Sequence, residues 1–188
     1  MRIIAGDYKG RKIFEPLDKE TRPLKDLTKE SIFNILEHSK DVKIPIAKSN
    51  ILDIFSGTGS FGLECISRRA SKVYFIEQHK PSIKILIKNI EKLNCEKKVN
   101  LFTENVFDLT KIKKIKENKF NLIFLDPPYK EKSIALLLNK INEMNILIDK
   151  GIIVLHRHKK SNDNFDNEFK VLRSENYGIS KIIFGRFF

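Results

Sequence analysis

Apolar and polar positions change their rhythm at residue 51. Beyond it, short apolar runs alternate with longer stretches in which apolar residues recur every three or four positions. The runs Ile51-Leu52-Asp53-Ile54-Phe55, Lys72-Val73-Tyr74-Phe75-Ile76, Val99-Asn100-Leu101-Phe102, Phe120 to Leu125 and Ile152-Ile153-Val154-Leu155 read as buried parallel strands. Between them, Phe61, Leu63 and Ile66 mark one helix. Ile83, Leu86, Ile87, Ile90 and Leu93 mark a second, with Pro81 in its first turn, and Ile134, Leu137, Leu138, Ile141 and Met144 mark a third. These stripes are read as core, not as cofactor contacts. Residues 169–174 and 179–187 read as a terminal antiparallel pair turning near Asn176-Tyr177-Gly178. Strands alternating with helices predict an α/β chain with a mainly parallel sheet covered on both faces.

The first part of the chain is patterned differently. Arg2-Ile3-Ile4-Ala5 and Arg11-Lys12-Ile13-Phe14 flank a turn containing Gly6, Asp7 and Gly10, which predicts a hairpin. A loop with Arg22-Pro23 follows. Leu27, Ile32, Ile35 and Leu36 then predict an amphipathic helix over about 26–38, with Asp26 as its N-cap or first-turn acid. Residues 1–38 are therefore expected to form an appendage and residues 39–188 the main domain, joined through a polar connector with Pro45.

Two loops carry candidate chemistry. Gly57-Thr58-Gly59-Ser60-Phe61-Gly62 lies between the first strand and its helix, and the acid Glu77 closes the second strand. Strand, G-x-G-x-x-G loop, helix and an acid about 20 residues on predict an adenosine ligand. That ligand is either a dinucleotide or S-adenosylmethionine. Asp53, inside the first strand, suits a cationic amino acid group better than a pyrophosphate, which would sit on the helix N-terminus. The second loop is Asp126-Pro127-Pro128-Tyr129, where the fourth strand ends. Both prolines lack an N–H and fix φ, so the backbone leaves the sheet along one path. An acceptor carboxylate beside an aromatic ring suits a flat base with N–H donors. The bland alternative is a Pro-rich turn in which Asp126 caps a helix.

Charge narrows the partner. Thirty-six Lys and Arg against 24 Asp and Glu give a net charge of +12, which favours a polyanion, nucleic acid ahead of a membrane surface. A lysine-rich solvated surface is the plain alternative, and the run Lys111 to Lys116 either borders the RNA side or is solvated. The two cysteines, Cys65 and Cys95, have no metal-ligand spacing. No apolar run approaches the ~20 residues of a membrane span, and the first residues carry no signal-peptide apolar region. A cytoplasmic, metal-free, monomeric protein without a membrane partner is expected.

The chain resembles class I S-adenosylmethionine-dependent methyltransferases. More narrowly, it is similar to the bacterial family that methylates the exocyclic amine of a guanine in 16S ribosomal RNA. The resemblance rests on Arg2-Ile3-Ile4-Ala5-Gly6 with Gly10-Arg11, Arg22-Pro23, Glu30 to Leu36, Leu52 to Glu64, Asp126 to Tyr129, and Tyr177-Gly178. It implies a Rossmann-like, seven-stranded sheet with an antiparallel C-terminal strand and a small N-terminal hairpin and helix. It places Asp53, Ser56, Gly57, Thr58 and Gly59 around the methionine end of the cofactor and Glu77 on its ribose. Asn105 and Val106 fall near the adenine, with Asp108 as the alternative to Asn105. Asp126 and the Pro127 carbonyl would accept from the target amine while Tyr129 stacks on the extruded base. Lys9, Arg11, Lys12, Arg22 and Lys25 would hold RNA, in an assembled or assembling small subunit, by phosphate contacts. One departure is His156, where the family usually carries a glutamate. It is expected to be a surface histidine without a role, within a basic cluster His156 to Lys160 that favours RNA phosphates. The competing functions are a DNA adenine-N6 methyltransferase, a nicotinamide-dependent oxidoreductase and a non-catalytic RNA-binding protein. The first lacks length for a target-recognition region, the second leaves Asp126 to Tyr129 unexplained, and an intact glycine loop and tetrapeptide argue against the third.

Overall fold

The computed structural model describes residues 1–16 and 24–188. Its elements are α1 (Asp26–His38), β1 (Asn50–Ile54), α2 (Ser60–Ser67), β2 (Lys72–Ile76), α3 (Lys80–Leu93), β3 (Val99–Phe102), α4 (Lys113–Lys116), β4 (Phe120–Leu125), α5 (Ile134–Glu143), β5 (Leu147–His158), β6 (Phe169–Tyr177) and β7 (Ser180–Phe187). The strands form one seven-stranded sheet in the order β3-β2-β1-β4-β5-β7-β6. Pairings among β1 to β5 are parallel, and β7 runs antiparallel to both β5 and β6. The sheet is the one the apolar runs predict.

Two apolar layers cover the sheet. On one face Phe33 of α1 stacks on Phe61 of α2 at 4.9 Å between centroids, and Phe61 stacks on Phe124 of β4 at 3.8 Å. On the other, Leu137, Leu138 and Ile141 of α5 meet Ile123, Leu125 and Ile153. Gly62 is required by this packing. A Cβ there would lie 2.3 Å from Phe75 Cε1 and 2.8 Å from Val73 Cγ1, so only glycine lets α2 sit this close to β2.

The first residues pack into the same core through Ile3, Ile13 and Leu24. The expected hairpin is two legs held by Ile3 N–H to Arg11 O (2.9 Å) and Gly10 N–H to Ile3 O (2.9 Å), with a single bridge, Arg2 to Lys12. A buried carboxylate ties it down. Glu64 of α2, fully buried, accepts from the Ile4 and Ala5 N–H groups at 2.7 and 2.9 Å and from Arg68 Nε at 3.0 Å. Lys29 of α1, also fully buried, lies 3.8 Å from Glu64 and donates to Arg2 O (2.9 Å) and Ser60 Oγ (3.1 Å). Asp26 falls in the first turn of α1, where it pairs with Arg2 at 3.4 Å; the N-cap position belongs to Lys25.

One segment follows the solvated alternative and another departs from expectation. The run Lys111 to Lys116 includes the short α4; across the run Ile112 and Ile115 are buried while the four lysines face solvent. Strand β5 continues well past Leu155, through His158. His156 and Arg157 are consequently interior strand residues, which corrects the expected surface cluster. The His156 ring nitrogens meet Asp126 and Ser180 and the Arg157 guanidinium meets Asp163 and Glu131 O, and that is what allows a histidine and an arginine to continue a buried strand.

Candidate active site

The sheet order reverses between β1 and β4, the switch point where open α/β sheets bind ligands at strand carboxyl ends. Backbone pairing carries on past the strands and fixes the loops beyond them. Asp126 N–H donates to Ile54 O (3.2 Å), Ser56 N–H to Ile76 O (3.2 Å) and Glu77 N–H to Phe102 O (3.1 Å). The glycine loop, the acid after β2 and the tetrapeptide after β4 therefore leave the sheet side by side. Between them lies a cleft of about 700 Å³.

Asp53, Ser56, Gly57, Thr58 and Glu77 line this cleft together with Asp126, Pro127 and Tyr129. Glu77 Oε2 accepts from Gly57 N–H (2.7 Å) and Oε1 from His79 N–H (2.8 Å), which pins the glycine loop. Asp53 is almost wholly buried. Its Oδ2 accepts from Gly62 N–H at 2.9 Å, whereas Oδ1 has no hydrogen-bond partner among the described residues. Burial pushes this carboxyl well above the usual range, the Gly62 N–H opposes that, and the Asp126 and Glu77 charges add to it. A buried acceptor facing a cleft with an unused oxygen fits a donor that carries positive charge, such as an ammonium group.

Gly59 stands behind the loop and not on the cleft wall. Its φ is +84°, its N–H donates to Ser56 O at 2.8 Å, and a Cβ would lie 2.3 Å from Leu86 Cδ1. Asn105 is exposed and its side chain caps the following turn at Phe107 N–H (2.9 Å); Val106 is buried in the core; Asp108 pairs with Lys111 at 3.0 Å. The residue of that loop that lines the cleft is Phe107, edge-on to Phe55 at 6.4 Å. Phe55 has φ +60°, a left-handed conformation that costs on the order of 1–3 kcal/mol in a non-glycine residue. The pair was not legible as a site because Phe55 reads as the last residue of an apolar strand.

Lys9, Arg11, Lys12 and Lys25 are exposed, and the Arg11 guanidinium lies 5.0 Å over the Tyr8 ring. They stand outside the cleft, whereas Met1, Pro16 and Leu24 of the same N-terminal segment line it. Arg22 lies outside the described residues. His156 also lines the cleft, only 4% exposed, with Nδ1 2.8 Å from Asp126 Oδ1. Arg157 grips Asp163 through both carboxylate oxygens (3.1 and 3.0 Å from Nε) and donates to Glu131 O (2.7 Å), so the loop after the tetrapeptide is held from β5.

Fold and cleft together define a Rossmann-like class I methyltransferase architecture. The chain belongs to the family described as Conserved hypothetical protein 95, which matches residues 1–186. Among curated relatives it is 31% identical over 183 residues to the Bacillus subtilis protein YlbH, covering 97% of this chain and 96% of the relative. It is 31% identical over 181 residues to ribosomal RNA small subunit methyltransferase D of Haemophilus influenzae, covering 95% of this chain and 90% of that protein. Two solved structures are similar along nearly the whole length. They are yhhF from Escherichia coli (TM-score 0.81, 24% identity, 100% of this chain and 97% of that one) and HI0767 from Haemophilus influenzae (TM-score 0.73, 28% identity, 98% and 96%). A further fold relative, SMU.776, was solved in complex with SAH (TM-score 0.59, 18% identity). Among the described residues, no helix is long and apolar enough to cross a membrane.

Proposed function

We propose that this protein transfers a methyl group from S-adenosylmethionine to the exocyclic N2 amine of a guanine in 16S ribosomal RNA. The observation that carries the reading is the shared cleft, lined both by Asp53, Gly57 and Glu77 and by Asp126 to Tyr129. The similarity to ribosomal RNA small subunit methyltransferase D supports ribosomal RNA as the substrate.

The residues divide the work as follows. Asp53 Oδ1 takes the ammonium of the cofactor's amino acid end, and Glu77 keeps lone pairs for the ribose hydroxyls beyond those given to Gly57 and His79. Phe55 and Phe107 supply apolar surface for the adenine, with Asn105 and Val106 holding the loop that presents Phe107. When bound, S-adenosylmethionine supplies a methyl group on a sulfonium that becomes neutral as the methyl leaves. Asp126 and the Pro127 carbonyl accept from the amine hydrogens and turn the nitrogen lone pair out of the ring plane. The donor would give its methyl to that nitrogen as its carbon–sulfur bond broke, and the Asp126 carboxylate would take up the surplus amine proton. Guanine presents donors at its ring N–H and its amine, which an acceptor-only carboxylate matches. Tyr129 stacks on the extruded base, worth ~1–3 kcal/mol. The rest of the rate comes from orientation in one cleft.

Residues 1–38 form the RNA-side appendage. Lys9, Arg11, Lys12, Arg22 and Lys25 carry phosphate contacts on an assembling or assembled subunit, and the enzyme acts as a cytoplasmic monomer. The test is tritiated methyl transfer to small subunits lacking the modification, followed by nucleoside analysis. Labelled N2-methylguanosine is expected; labelled methyladenosine alone would replace this reading with an adenine-directed one.

The raised carboxyl of Asp53 gives a pH prediction. A cationic ligand needs the carboxylate form, and protonation removes it as pH falls through the raised pKa. Cofactor affinity is therefore expected to weaken as pH falls through that raised pKa, and binding in that range to release protons. Calorimetry in buffers of different ionisation enthalpy reads this directly. In the Asp53→Asn variant the proton release should vanish.

A further inference from the structure

We propose that His156 is a positioning residue for methyl transfer: its Nδ1–H holds one oxygen of the Asp126 carboxylate so that the other faces the base amine. This rests on the role given to Asp126 under Proposed function.

Three observations carry it. First, both ring nitrogens are engaged, with Nδ1 2.8 Å from Asp126 Oδ1 and Nε2 2.8 Å from Ser180 Oγ. A carboxylate only accepts, so Nδ1 carries the proton, and the Ser180 hydroxyl then serves Nε2. Second, the strands hold the ring rigidly. Ser180 pairs with His158 across the β5–β7 ladder, so His156, two residues away, shares its face, and His156 itself pairs with Ile182. Third, the same ring meets the Tyr129 ring edge-on, at 6.0 Å between centroids and 82° between planes, and His158 closes the other side of Tyr129 at 5.0 Å. One buried imidazole therefore touches both the acceptor and the stacking residue of the tetrapeptide.

His156 spends its donor on a carboxylate that lines the cleft and is 21% exposed at its side chain. A carboxylate tethered at Oδ1 cannot rotate freely, so Oδ2 keeps one direction. Misplacing a reacting or orienting group by about 1 Å costs on the order of 10²-fold in rate.

The test compares kcat, substrate KM and cofactor Kd for the wild type, His156→Leu, His156→Asn, Ser180→Ala, Asp126→Asn and the Asp126→Asn/His156→Leu double variant. His156→Leu is expected to lose about 10–100-fold in kcat with KM and Kd near wild type. His156→Asn, whose side-chain amide can donate close to the position of Nδ1, should recover most of that loss. The double variant should be no slower than Asp126→Asn alone, because His156 acts through Asp126. Full kcat in His156→Leu with an inactive Asp126→Asn overturns the proposal and leaves the role of Asp126 standing. Full kcat in Asp126→Asn overturns that role itself. Equal losses in the Leu and Asn variants, or additive losses in the double variant, reduce His156 to packing. If His156→Leu does not fold, Ser180→Ala decides. A kcat loss there supports the proposal, and unchanged kcat refutes it.

Discussion

Asp126→Ala is expected to collapse turnover while cofactor affinity stays close to wild type. The substitution removes an acceptor placed where the reacting amine must sit, and removing one preorganised hydrogen-bonding group of this kind costs about 10²–10³-fold in kcat. Asp53 and Glu77 are held by the Gly62, Gly57 and His79 N–H groups and not by Asp126, so the cofactor contacts survive. The Asp126 charge, which helps to raise the Asp53 carboxyl, disappears with the substitution, and this favours the Asp53 carboxylate that the cofactor needs. Single-turnover kinetics beside equilibrium dialysis of labelled S-adenosylhomocysteine separates the effects. Equal loss of binding and turnover would mean the carboxylate belongs to the cofactor end.

Glu64→Leu is expected to be the most destabilising single change outside the cleft. It leaves the Ile4 and Ala5 N–H groups and the buried Lys29 ammonium without their carboxylate. Breaking a buried ion pair by removing one partner costs about 3–5 kcal/mol, which for a chain of this size lowers Tm by on the order of 10 °C. Burial already lowers the Lys29 pKa, and the Glu64 charge opposes that; without Glu64 only the penalty remains. Because Met1, Pro16 and Leu24 line the cleft, RNA methylation should fall along with stability. The Lys29→Met/Glu64→Leu double variant, with both charges gone, should recover much of the Tm. Thermal unfolding followed by circular dichroism checks both. An unchanged Tm in Glu64→Leu would show that the N-terminal segment is held by its apolar residues alone.

These two carboxylates mark what a sequence does and does not disclose. Asp126 was legible because it breaks an apolar strand and precedes two prolines. The glycine loop and Glu77 were legible because their spacing follows from the strand–loop–helix geometry. Glu64 was visible only as one more residue of a short helix, since its partners lie about 60 positions away at Ile4 and Ala5. His156 was hidden for a related reason. Beside Arg157, His158, Lys159 and Lys160 it reads as surface charge, and only the ladder of β5 with β7 shows it buried against Asp126 and Ser180. Phe107 likewise follows two candidates for the adenine, Asn105 and Val106, and the turn capped by Asn105 is what brings its ring to the cleft. Local periodicity reports which residues are buried; it does not report which partners long-range pairing supplies.

In the proposed reaction, methyl donor and target base meet in the space between β1 and β4. A crystal structure with S-adenosylhomocysteine tests it most directly. The ribose is expected on Glu77, the amino group on Asp53 Oδ1, and the sulfur facing Asp126 with room for a base between them. Density for the ligand outside this cleft, or a sulfur turned away from Asp126, would contradict it.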